Sequence, residues 1–134
     1  MSQFTTPFVG ELIGRNLWRV KEPFEYHVGE YPSKEIIKVP IGFITNFASV
    51  PRIFWPIISP IDSHGKAAVV HDYCYYTALY PRKRCDEIFL EGMIVLKVGT
   101  IKRTLIYHTV RYCGYYNWYK ARLRERKIKK YFLE

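Results

Sequence analysis

His71 and Asp86, in the C-terminal half of the chain, are residues of the types that move protons. An imidazole changes charge near neutral pH and a carboxylate can orient it, so together they suit a general base that activates water. Whether they meet depends on the elements that carry them. Ala67, His71, Cys74 and Ala78 recur at helical spacing with Tyr75 beside them, and Asp86, Phe89, Leu90, Met93 and Leu96 do so further on. Tyr80-Pro81 predicts a short turn between two antiparallel helices and sets His71 and Asp86 at similar distances from it. They are therefore expected to face each other. An aspartate on an apolar stripe needs a partner, because an unpaired buried carboxylate is costly or takes up a proton. Two readings stand side by side. In one, Asp86 orients His71, with Tyr75 at hand, and His71 takes a proton from water. In the other, the two form a buried ion pair, capped by Tyr75, that fixes helix register.

Asp72 follows His71 but points about 100° away around the helix, where it can hold a cation or a second proton. Transition metals have less support, since His27, His64, His71 and His108 share no zinc spacing and no HExxH occurs. Neither GxxxxGK[ST], GxGxxG nor GxSxG is present, which removes the usual signatures of nucleotide hydrolysis and serine hydrolases. A further polar cluster, Thr45, Asn46, Ser49 and Arg52, sits in a segment rich in Pro, Phe and Trp. As a substrate-binding loop it would let Arg52 grip a carboxylate or phosphate. As architecture, Asn46 and Ser49 would cap a turn while Arg52 pairs with an acid such as Asp72.

The elements expected to position these residues make an α+β fold, an N-terminal antiparallel β-meander packed with three C-terminal helices. Residues 1–45 are β-rich: Val9–Ile13 and Leu17–Val20 flank a Gly/Asn turn, Phe24–Val28 and Ile36–Val39 follow, and Phe43–Thr45 closes the set. Residues 46–62 form a structured loop. Residues 63–119 hold the helices, the first capped by Ser63 and running to Tyr80. The second starts at Pro81 and ends at Val98 with Gly99 as its C-terminal glycine; the third is capped by Thr100. Residues 120–134 are a basic tail.

With 134 residues, 49% of them hydrophobic, there is room for one domain around one core. The net charge of +9 favours phosphates, anionic lipid or acidic protein surfaces without choosing among them. Twelve tyrosines bring apolar area with a hydroxyl that wants a partner, which suits a wet core edge or an interface. Cys74, Cys85 and Cys113 form no CxxC and are odd in number, the usage of reduced thiols in a cytoplasm. No run approaches about 18 apolar residues, and the opening residues carry neither the charged nor the apolar region of a signal peptide.

Two resemblances add to this reading. Phe4–Pro7, Val39–Arg52, Phe54-Trp55-Pro56, His71–Tyr75, Arg84–Phe89 and Tyr107–Arg111 resemble a bacteriophage family of unknown function, domain of unknown function 1353, over nearly the whole chain to about Trp118. The chain departs from that pattern at Asn46, where the family has aspartate, and in the tail from Lys120. Membership implies a phage or prophage gene and no particular activity. Ala67–Tyr75 followed by Asp86 is also similar to phospholipase A2, including the short form of parvovirus capsids. That resemblance implies that His71 deprotonates water, Asp72 binds calcium and Asp86 orients the histidine. Asp62-Ser63-His64-Gly65 stands where that family has a glycine-rich calcium loop.

The expectation is a phage protein with a His–Asp centre, a phospholipase A2-like or other ester hydrolase acting at the host envelope, with calcium as its candidate cofactor. Two alternatives belong to other classes. The chain is a non-enzymatic virion or tail-assembly component using a basic aromatic face, or a nucleic-acid or anti-defence binding protein using the tail. The partners implied are phage structural proteins or an anionic surface, lipid or nucleic acid. Synthesis is expected in the host cytoplasm, with the virion as a further destination.

Overall fold

Among the described residues, short alternating runs separated by glycine and proline become five strands, and the helical periodicities become four helices. In order these are β1 (Gly10–Gly14), β2 (Leu17–Val20), β3 (Phe24–His27), β4 (Ile36–Val39), β5 (Ile44–Thr45), α1 (Gly65–Thr77), α2 (Arg82–Val95), α3 (Thr100–Cys113) and α4 (Tyr115–Leu133). The structure is a computed structural model and describes residues 3–5, 8–14, 17–46 and 65–133. Ser49, Arg52 and the expected cap Ser63 lie outside the described residues.

The strands form two small antiparallel sheets, β1-β2-β5 and β3-β4. They are not a simple meander, because β5 pairs with β2 (Trp18 opposite Thr45) and the β3-β4 hairpin is inserted between them. Gly42, at φ 89°, makes the turn that returns the chain to β2. In β3-β4 the cross-strand pairs Phe24–Val39 and Tyr26–Ile37 point to one face and are buried in the core shared with the helices. Phe4 bridges to Tyr26, with ring centroids 4.6 Å apart.

Helix α1 is the central helix. It buries Ala67, Ala68, Val69 and Val70 in succession, and it contacts α2, α4, β4 and β5. Burial on several sides, rather than along one stripe, is why apolar residues run unbroken through its first half. Small residues let α2 come close: a Cβ added at Gly92 would lie 3.0 Å from the Cβ of Ala67.

The ends of the helices differ from the sequence expectation in four places. Helix α1 stops at Thr77 rather than Tyr80, with Ala78 in the left-handed region at φ 52°. Helix α2 ends at Val95, and Lys97 at φ 61° takes the position expected of Gly99. The Lys97 amide donates to the carbonyl of Ile94 and the Val98 amide to that of Met93, the paired bonds of a Schellman turn. Gly99 instead precedes α3 as its N-cap, so Thr100 is the first helical residue. The third expected helix is two, because the run divides at Gly114; the basic tail continues as helix to Leu133.

Candidate active site

Helices α1 and α2 lie side by side, and His71 and Asp86 meet between them as the spacing predicts. His71 Nε2 is 2.6 Å from Asp86 Oδ1; His71 is 3% exposed and Asp86 is fully buried. Burial alone would raise the Asp86 carboxyl, but His71, the hydroxyl of Tyr75 and the guanidinium of Arg111 outweigh it and hold the group below the usual aspartate range. An ionised carboxylate only accepts, so Nε2 carries the hydrogen and donates it. Tyr75 OH donates to the same oxygen at 2.6 Å. Arg111 Nη1, from α3, donates to Oδ2 at 2.6 Å, and Arg82 Nη1 stands 3.6 Å from that oxygen. Burial, then the bond to Asp86, pushes the Tyr75 phenol up, so it remains a donor across the physiological range.

The imidazole plane is set by packing as well as by Asp86. Phe89 stacks on it at 4.6 Å and Tyr75 is tilted against it at 4.2 Å. With Nε2 engaged, His71 Nδ1 is buried and has no hydrogen-bond partner among the described residues. A buried ring nitrogen without a partner is uncommon, and in a neutral imidazole whose other nitrogen carries the hydrogen it presents a lone pair.

His71 lines a cavity of about 750 Å3. The volume lies within the range of small-molecule sites, about 300–1,000 Å3. Its walls come from β2 and β5 (Leu17, Phe43 and Ile44 beside them), from α1 (Asp72, Tyr73, Tyr76) and from α4 (Asn117, Arg124). Thr45 Oγ1 donates to Asp72 Oδ2 at 2.5 Å and the Asn46 amide donates to the same oxygen at 3.1 Å. Of the residues singled out in the sequence, His71, Tyr75, Asp72, Thr45 and Asn46 therefore line one cavity, while Asp86 stands behind His71. Calcium takes about six to eight oxygen ligands. Asp72 is one acid, and among the described residues no three His, Cys, Asp or Glu side chains stand together as a metal site.

Other contributors were not singled out by their spacing. Arg111 was read only as part of a motif, yet it makes the charge-assisted bond that neutralises Asp86. Arg82 spans the helices, with Nη1 on the carbonyl of Val110 and Nη2 on that of Arg111. Gly114 allows close approach, since a Cβ there would fall 2.7 Å from the hydroxyl of Tyr75. Arg122 clamps α4 to the end of α1 through the carbonyls of Tyr75 and Tyr76, both at 2.9 Å, with its guanidinium over Trp118. Arg111, Gly114 and Arg122 approach from turns remote in sequence, so helical periodicity could not pair them; Arg82, one turn before Asp86 on α2, is the exception. The available signals were the i,i+4 spacing of Arg82 and Asp86 and the basic residue in the last turn of α3.

No curated protein and no solved structure matches the chain. A family model, described as "Protein of unknown function (DUF1353)", matches residues 18–110, a span that runs from β2 through β5, α1 and α2 into α3 and so includes His71, Asp86 and the part of the cavity wall formed by β5 and α1, but not Asn117 and Arg124 of α4. By that match over most of its length, the chain belongs to the DUF1353 family of proteins of unknown function.

Proposed function

We propose that the protein is a hydrolase of esters in which His71 is the general base. The observation that carries this reading is the unpartnered Nδ1 of His71, on a ring held by Asp86 and lining a cavity large enough for a substrate. A water hydrogen-bonded to Nδ1 gives up a proton to it as the oxygen attacks the ester carbonyl. The imidazolium formed is balanced by the Asp86 carboxylate beside Nε2. When the tetrahedral intermediate collapses, Nδ1 returns the proton to the departing alkoxide, leaving an acid and an alcohol. Apolar walls at Leu17, Phe43 and Ile44 suit an acyl chain.

This arrangement is similar to that of phospholipase A2, in which a histidine is oriented by a remote aspartate, and a phage enzyme acting on the host envelope would fit it. Calcium at Asp72 would supply an electrophile for the carbonyl oxygen in such a scheme; the steps above use only this chain's own groups.

The test is hydrolysis of a short-chain p-nitrophenyl ester series by the wild type and by His71→Asn. Loss of about 10²–10⁴-fold in kcat, with the thermal midpoint retained, is the result expected of a general base. Equal rates in the two proteins would reduce the pair to a helix staple.

A second reading rests on a different face. Tyr112, Tyr115, Tyr116 and Tyr119 are all more than half exposed, and Lys120 sits over the ring of Tyr116 at 4.5 Å. An exposed aromatic row with cations suits a binding surface for a structural protein or an anionic polymer. On this reading the protein is an assembly or binding component, and substitution of Tyr112 and Tyr116 by serine would abolish association while His71→Asn would leave it unharmed.

A further inference from the structure

The cavity has chemically different walls. His71 and Asp72 lie where α1 meets β5; Arg124 and Asn117 reach the wall from α4. Two arginines of α4 divide the work there. Arg122 is committed to the carbonyls of Tyr75 and Tyr76 and to the face of Trp118, and so fixes α4 in place. Arg124 lines the cavity, exposed, with no hydrogen bond or ion pair among the described residues. A guanidinium on the wall of a cavity, left without a carboxylate while its neighbour is held by two backbone carbonyls and a tryptophan ring, is placed for an anion brought by a ligand. Its planar fork matches the oxygens of a phosphate or carboxylate. Asn117, on the same wall and two helical turns before Arg124, adds an amide donor there.

Resting on the hydrolase reading above, we propose that the substrate is an anionic amphiphile: an ester whose acyl part lies along Leu17, Phe43 and Ile44, and whose negatively charged oxygens are held by Arg124. Arg124 is then a specificity-determining residue. It selects and orients the ester without taking part in proton transfer, and it decides which end of the molecule reaches His71.

Binding can be measured without turnover. Octyl phosphate, octanoate and the uncharged octyl glucoside, each below its micelle-forming concentration, are titrated calorimetrically into the wild type, Arg124→Gln, Arg124→Lys and His71→Asn. The expected result is that at least one anionic amphiphile binds on the order of tenfold tighter than octyl glucoside to the wild type and to His71→Asn. That preference is lost in Arg124→Gln and largely kept in Arg124→Lys. The tighter of the two anions names the head group as phosphate or carboxylate. Equal affinity for charged and uncharged amphiphiles, absence of binding by all three, or a preference that survives in Arg124→Gln overturns the proposal. Arg124 is exposed, so the thermal midpoint of Arg124→Gln should match that of the wild type. Failure here is distinct from failure of the hydrolase reading, which is decided by turnover in His71→Asn.

Discussion

Helix α2 carries two carboxylates that each accept a hydrogen bond from a tyrosine of another element: Asp86 from Tyr75 of α1, and Glu91 from Tyr26 of β3. Around Glu91 every donor serves the fold. Its Oε1 takes the hydroxyl of Tyr26 at 2.5 Å, the amide of Gln3 at 3.0 Å and the backbone N–H of Gly29 at 2.8 Å, tying the N-terminal strands to the helices. Around Asp86 the donors include a guanidinium and an imidazole, and that imidazole belongs to a residue lining a cavity and keeps one buried nitrogen without a partner among the described residues. A carboxylate and a tyrosine are common to both clusters, the carboxylate fully buried at Asp86 and half-buried at Glu91. What distinguishes a candidate site from a staple is the group left with chemistry to do once the carboxylate is satisfied.

The sharpest way to break this comparison is to neutralise each carboxylate in turn. Asp86→Asn removes the charge that faces Arg111 in a fully buried position. Breaking a buried pair by removing one partner costs about 3–5 kcal/mol, so this variant is expected to lose ~3 kcal/mol in urea unfolding. Glu91→Gln keeps an oxygen that can accept from Tyr26 and Gly29, and is expected to lose about 1 kcal/mol. It should also leave ester hydrolysis unchanged, whereas Asp86→Asn should lower it along with stability. Equal losses in the two variants would mean that Asp86 is only a second staple.

Gly114 gives the next effect in size. A methyl there would press on the Tyr75 hydroxyl and on the carbonyl of Val110, so Gly114→Ala is expected to cost about 2 kcal/mol, in the range of overpacked cores. Adding Tyr75→Phe to it should recover part of that loss, because the hydroxyl being crowded is gone. Double-mutant unfolding measures the coupling.

The sequence made some of this legible. His71 and Asp86 could be set face to face because helical spacing and a proline-marked turn are local signals, and both survived in the fold. The strand runs were legible for the same reason. The pairing of β5 with β2 was not, since register between elements separated by a hairpin is decided by tertiary packing. Lys97 in a left-handed position was hidden by the stronger local signal of Gly99 nearby. Gly114 read as an ordinary residue within a helix, because its role is to admit Tyr75, and that is visible only once α1 is beside it. For Arg111 and Arg124 no one-dimensional pattern separates a cation that neutralises a buried acid or lines a cavity from one that is simply solvated, whereas Arg82, four residues before Asp86, does carry a local signal.

Acid should distinguish Asp86 from an unperturbed carboxylate. Its folded value lies below the ordinary aspartate value of 3.8, so the unfolded chain takes up a proton first as pH falls. The stability it contributes is present above pH 3.8 and is lost as pH drops through the lower, folded value. Unfolding free energies of the wild type should therefore fall more steeply below pH 4 than those of Asp86→Asn, which has no such proton to take up. Parallel acid limbs would mean that the bonds from His71, Tyr75 and Arg111 do not favour the ionised form.

The smallest effect separates the two tyrosines. Burial raises both phenols, each with a further push from the carboxylate it faces, so in both cases the unfolded chain ionises first as pH rises. The stability each phenol contributes is full below its ordinary value near 10 and declines above it. Near neutral pH, Tyr26→Phe removes one of the three donors on Glu91 and should cost about 1 kcal/mol. Tyr75→Phe should cost a similar amount, since Asp86 keeps its bonds from His71 and Arg111. The difference belongs in turnover. Tyr75 donates to the oxygen that also receives His71, so its loss lets the imidazole shift and should lower kcat several-fold, while Tyr26→Phe leaves kcat unchanged. If the two substitutions act alike on both stability and kcat, then Tyr75, like Tyr26, serves packing alone, and the orientation of His71 rests on Asp86 and Phe89.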